Sequence, residues 1–187
     1  MNDKINQDSI NKALWAACDT FRGTISADTY KDFILTMLFL KYISDVWQDH
    51  YDDYQAQHGD EPELIVEMMK NERFVLPKGA SFYNLYERRH EPGNGERVDQ
   101  ALHAIEEANG TKLKDAGKSV FQDISFNTDK LGEEKQKNTI LRHLLEDFAK
   151  PELNLKPSRV GTLDVIGNAY EYMIKNFAAS GGQKAGE

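Results

Sequence analysis

The chain has 187 residues, 40% of them apolar and 29% charged, with a net charge of -8 from 23 Lys plus Arg against 31 Asp plus Glu. That length suits one domain, and that composition excludes collagen-like, mucin-like and largely disordered chains. The acidic balance argues against a dedicated stand-alone nucleic-acid binder, because attraction to phosphate supplies most of such a protein's affinity.

The first helix is predicted over residues 9–21. Ile10, Leu14, Ala17, Cys18 and Phe21 recur at three- and four-residue steps and share one face. Asp8 or Ser9 is expected to cap it and Gly23 to end it. Cys18 sits in the apolar stripe and reads as a small buried hydrophobe. As the sole cysteine it excludes an internal disulfide framework and a thiolate zinc cage.

The second helix is predicted over 29–57, with Ser26 as its cap and Gly59 as its end. Between residues 33 and 43 apolar side chains point in nearly every direction, the mark of a central helix. The longest apolar run, 33–40, is interrupted only by Thr36 and falls far short of the ~20 residues a membrane span needs. Beyond Ile43 the helix becomes one-sided. Trp47, His50, Tyr51 and Tyr54 share the apolar face, while Asp45, Asp49 and Asp52 are expected on a solvated one.

Shorter helices are predicted over 61–71 and 81–88, separated by an extended Phe74-Val75-Leu76 before Pro77. Residues 91–95, Glu-Pro-Gly-Asn-Gly, read as a turn. Val98, Leu102 and Ile105 define a helix ended by Asn109-Gly110. Val120, Phe121, Ile124 and Phe126 lack a period and are expected as irregular chain. A helix over 133–148 follows, then an extended 154–157, then a last helix capped by Asp164 with Ile166, Tyr170, Met173, Ile174 and Phe177. The fold class is therefore mainly α, a helical bundle-like domain with at most a minor β-hairpin. Residues 1–178 form the domain, and the Gly-rich stretch 179–187 is expected as a linker.

No phosphate-cradling glycine loop follows a strand, and no H-E-x-x-H pairing or G-x-S-x-G elbow occurs among the five histidines and the serines. No catalytic, cofactor-binding or metal-ligating residue can be placed. Basic residues do gather at Arg88-Arg89 and at Lys112, Lys114 and Lys118. Residues 110–187 are nearly neutral, with 12 basic and 11 acidic side chains, whereas residues 1–60 carry 5 and 10. Arg88, Arg89, Lys112, Lys114 and Lys118 read first as solvated surface, with phosphate-backbone contact as the alternative.

Several blocks carry a resemblance. Leu14-Trp15-Ala16-Ala17-Cys18-Asp19-Thr20-Phe21-Arg22-Gly23, then Tyr30-Lys31-Asp32-Phe33-Ile34-Leu35 and Leu38-Phe39-Leu40-Lys41-Tyr42-Ile43-Ser44-Asp45, resemble the opening of the modification subunit of type I restriction–modification systems. Phe74-Val75-Leu76-Pro77, Asp164-Val165-Ile166-Gly167-Asn168-Ala169-Tyr170-Glu171-Tyr172-Met173-Ile174 and Lys184-Ala185-Gly186-Glu187 are similar to later landmarks of that family.

The resemblance implies the helical N-terminal domain of a site-specific DNA-methyltransferase (adenine-specific), whose parent protein transfers methyl from S-adenosylmethionine to adenine N6. It implies as partners a second modification subunit, a specificity subunit, a restriction subunit and double-stranded DNA. The location implied is cytoplasmic, away from membranes. The domain's implied part is assembly and closure around DNA. The family's Rossmann-like core, with its glycine-rich cofactor loop and the Asn-Pro-Pro-Phe type motif that receives a flipped adenine, has no counterpart here. This chain alone is therefore expected to be inactive and to hold no cofactor. The competing expectation is a stand-alone helical adaptor that binds a protein and no DNA.

Overall fold

The computed structural model describes residues 6–72, 74–110, 124–160 and 164–185, with side chains to residue 179. Among the described residues, eight α-helices run in chain order: α1 Gln7–Ala17, α2 Ala27–His58, α3 Pro62–Lys70, α4 Phe82–Glu87, α5 Asn94–Asn109, α6 Glu134–Phe148, α7 Pro157–Val160 and α8 Val165–Ala185. Three 3₁₀ turns, Cys18–Thr20, Asp129–Leu131 and Pro151–Leu153, lie between them. No strand occurs among the described residues. The mainly α expectation holds.

Helix α2 is the axis of the domain. Helices α3, α4, α6, α7 and α8 all pack on it, α1 lies against α6 and α8, and α5 against α4 and α6. Its middle is buried on every side from Phe33 to Leu38 and again at Leu40, Lys41 and Ile43 to Val46. Aromatic rings join the layers: Phe21 stacks on Tyr30 and Phe33, and Phe177 of α8 meets both Trp15 at 5.5 Å and Tyr30 at 5.7 Å. A fully buried ring of this kind contributes about 3–5 kcal/mol when judged by truncation.

Helix ends follow local chemistry. Asn6, rather than Asp8 or Ser9, caps α1, its Oδ1 accepting the Ser9 N–H at 2.8 Å. Asp164 caps α8 as expected, accepting the Gly167 N–H at 3.0 Å. The turn predicted at 91–95 is shorter: Gly93 takes a left-handed φ of 84°, and α5 already begins at Asn94. Asn94 and Asn138 tie that first turn to α6, the Asn94 N–H donating to Asn138 Oδ1 at 2.9 Å. Gly95 lets α5 approach the irregular segment beyond it; a Cβ there would sit 2.8 Å from the Phe126 carbonyl oxygen.

The extended Phe74-Val75-Leu76 finds its backbone partner in a side chain. The Val75 N–H donates to Asn109 Oδ1, and Asn109 Nδ2 donates back to the Val75 carbonyl, both at 2.8 Å. The expected linker differs at its start. Helix α8 continues through Gly181-Gly182 to Ala185, so residues 179–185 are helical. Each glycine costs a helix about 1 kcal/mol, and with no proline present the flanking Ala, Gln and Lys carry the helix past them.

Cys18 is fully buried, its Sγ 3.6 Å from the Leu14 carbonyl. Burial pushes its thiol up to about 12. The folded state therefore keeps the proton that the unfolded chain releases above about pH 9. The resulting stability is complete below that pH and is lost as pH rises toward 12. Urea denaturation is expected to show roughly 1 kcal/mol lost by pH 10 relative to Cys18→Ala, whose curve lacks this contribution. Parallel curves for the two proteins from pH 8 to 11 would contradict it.

Candidate nucleic-acid interface

Arg88 and Arg89 stand at the carboxyl end of α4, where the expected basic pair lies, but they are held differently. Arg88 is half exposed and its Nε donates to Glu91 Oε2 at 2.5 Å. Arg89 is turned into the fold. Its Nε reaches Glu146 Oε1 of α6 at 3.2 Å, its Nη1 donates to the Tyr86 carbonyl at 2.9 Å, and its guanidinium lies 3.9 Å over the Tyr86 ring. Such a stacked, paired arginine fastens α4 to α6. Lys112, Lys114 and Lys118 lie outside the described residues.

Sequence reasoning missed Arg97, which organises the loop beneath the pair. Its Nη1 donates to the Pro92 carbonyl, and its Nη2 reaches the carbonyls of Arg88 at 2.9 Å and Glu91 at 3.0 Å, and Asn94 Oδ1 at 2.6 Å. Burial first, and then the nearby Arg88 charge, hold Arg97 below the ordinary arginine value. The signal was present, since an arginine one turn into a helix opened by a left-handed glycine is placed to collect that loop's carbonyls.

The aspartate face of α2 is corrected. Asp45 is not solvated; it is fully buried beside Lys41, itself 2% exposed. Lys41 Nζ donates to Asp45 Oδ2 at 2.6 Å and to the Leu153 carbonyl at 2.8 Å. The Leu155 N–H donates to Asp45 Oδ2 at 2.8 Å, and the Tyr83 hydroxyl donates to Oδ1. Burial lowers the Lys41 ammonium from its ordinary value, against the pull of Asp45. Burial and the Asp45 charge raise Tyr83.

Asp49 continues the row by accepting from the Ser158 N–H at 3.0 Å and Oγ at 2.6 Å, and Asp52 lies 3.8 Å from Lys156. These aspartates thus seat residues 153–158 on α2. Across the helix, Trp47 stacks on Tyr51 at 5.1 Å, and His50 Nδ1 and the Tyr54 hydroxyl both bond Glu72, just past α3. These side chains join α3 to α2.

No group of three or more His, Cys, Asp or Glu among the described residues is placed to hold a metal ion. No described helix is long and apolar enough to cross a membrane.

Among the described residues the geometry defines a helical domain with an apolar core, one buried ion pair between Lys41 and Asp45, and arginines at its rim. The HsdM N-terminal domain family matches residues 10–148, and the chain belongs to that family. It is similar to the type I restriction enzyme MpnII methylase subunit of Mycoplasma pneumoniae, with 24% identity over 97% of the chain and 37% of the relative. It is 32% identical to the HindI methylase subunit of Haemophilus influenzae over 60% of the chain and 22% of that protein. Among solved structures, the type I restriction-modification system methyltransferase subunit from Streptococcus thermophilus shares the fold, with a TM-score of 0.73 and 24% identity. That match covers 92% of this chain and 39% of the other. The chain thus spans about a third of the length of the first curated relatives it matches.

Proposed function

We propose that this domain serves assembly and closure around DNA in a type I modification subunit that methylates adenine N6 from S-adenosylmethionine. The observation that carries the reading is the family match over residues 10–148 on a fold with no nucleotide-binding sheet among its described residues. The methyl donor and the target adenine then belong to the rest of the subunit. A second modification subunit, a specificity subunit, a restriction subunit and double-stranded DNA are the proposed partners, in the cytoplasm.

The net charge of -8 supports action within an assembly rather than alone, because an isolated acidic domain is repelled by a polyanion. Arg88, with Lys112, Lys114 and Lys118, is proposed to meet the DNA backbone, which positions a protein without reading sequence.

The test uses the full-length subunit assembled with its specificity partner. Removing residues 1–178 is expected to weaken duplex binding about tenfold or more, roughly 1.4 kcal/mol, while the remainder still binds S-adenosylmethionine. Unchanged duplex affinity would overturn the reading.

A further inference from the structure

Beside the arginine pair, a groove of about 270 Å³ opens between α4 and α5. Its polar lining is Lys78, Asn84, Arg88, Arg97 and Gln100, over a small apolar floor, and no carboxylate lines it. Two acids are bonded to its lining residues, Glu91 by Arg88 at 2.5 Å and Glu96 by Gln100 Nε2 at 3.3 Å. The volume lies below the ~300–1,000 Å³ of pockets for drug-sized molecules. It suits a phosphate with its sugar linkage better than a stacked base.

Three cations converge here with donors to spare. Lys78 has no carboxylate partner among the described residues, and Arg88 commits only its Nε. Arg97 gives its Nη groups to neutral carbonyl and amide oxygens, which leave its charge uncancelled, and its buried Nε has no acceptor among the described residues. An anion in the groove would relieve the repulsion between Arg88 and Arg97, which already lowers the proton affinity of Arg97.

We infer that this groove is an anion site that takes one phosphate group of a phosphodiester, held by Lys78, Arg88 and Arg97. The site follows from the geometry; only the source of the phosphate, the DNA backbone, rests on the function proposed above. Asn84 is not a principal ligand, because its amide already donates to the Gly79 carbonyl at 2.8 Å.

The experiment has two arms. In the first, inorganic phosphate is titrated into the isotopically labelled chain and backbone amide shifts are followed, with sodium chloride at matched ionic strength as the control. Saturable shifts at Gly79, Arg88 and Gln100 are expected. They should weaken several-fold in Lys78→Ala and vanish in Gln100→Glu, an exposed change that places a negative charge at the rim and leaves the Arg97 loop intact. Absence of saturable shifts in the unaltered chain overturns the site.

In the second arm, Lys78→Ala with Arg88→Ala is placed in the assembled subunit and duplex affinity is measured against salt. A loss equal for cognate and unrelated duplexes, with the salt slope reduced by about 1, supports the DNA backbone as the source. Phosphate shifts with unchanged duplex affinity would keep the site and overturn DNA as its source. Weaker duplex binding without phosphate shifts would overturn the site, leaving only long-range charge.

Discussion

Lys41→Met is expected to destabilise the domain by about 3–5 kcal/mol, because it leaves the Asp45 carboxylate buried without its counter-charge. That is a large part of the roughly 5–15 kcal/mol that holds a domain together. The pair is buried within α2, away from bulk solvent, and each member has further duties. Lys41 also binds the Leu153 carbonyl, and Asp45 also accepts from Leu155 and Tyr83. Asp45→Leu should therefore cost as much by stranding the ammonium. The double change should cost clearly less than the two singles summed, since an apolar pair removes both buried charges. It will not be neutral, because the Leu155 N–H and the Tyr83 hydroxyl lose their acceptor. Urea denaturation of the four proteins reads the coupling, and singles costing under about 1 kcal/mol would mean that the pair behaves as a surface one.

The second large effect falls on an irregular segment. Phe126 has no helix to hold it, yet it is fully buried, with its ring 5.0 Å from Phe33 of the central helix. Asp99 of α5 keeps it there. Its carboxylate accepts from the Phe126 N–H at 2.7 Å, the Asn127 N–H at 3.3 Å and Ser125 Oγ at 2.6 Å. Phe126→Ala should cost about 3–5 kcal/mol through the cavity it leaves. Asp99→Ala should cost about 1–2 kcal/mol by removing the charged acceptor of these exposed and part-buried hydrogen bonds. The two should not add, since Asp99 acts by positioning the ring. Additive losses in thermal or urea unfolding would show that the segment finds its place without Asp99.

The helices, the central place of α2 and the apolar face of α1 were legible because they depend on local periodicity. Periodicity cannot show where a charged side chain ends when its partner comes from far along the chain. Lys41 and Asp45 meet Leu153 and Leu155 across separations of 112 and 110 residues, so Asp45 reads as surface from its neighbours alone. The same limit applies to the candidate interface. Arg88-Arg89 is visible as a basic pair, but only packing shows that Arg89 turns inward over Tyr86. Only packing brings Lys78 and Arg97 to the side of Arg88. The start of α8 was fixed by Asp164, but two adjacent glycines suggested an earlier end than the chain takes.

The buried charge and the basic groove lie on opposite sides of α4. Its Tyr83 reaches down to Asp45, and its Arg88 borders the groove above α5.

The division of labour within the subunit is most directly tested by titrating S-adenosylmethionine into this chain in a calorimeter. The account predicts no saturable heat, because the described residues form helices and no strand edge to receive a nucleoside. Stoichiometric binding with micromolar affinity would contradict it.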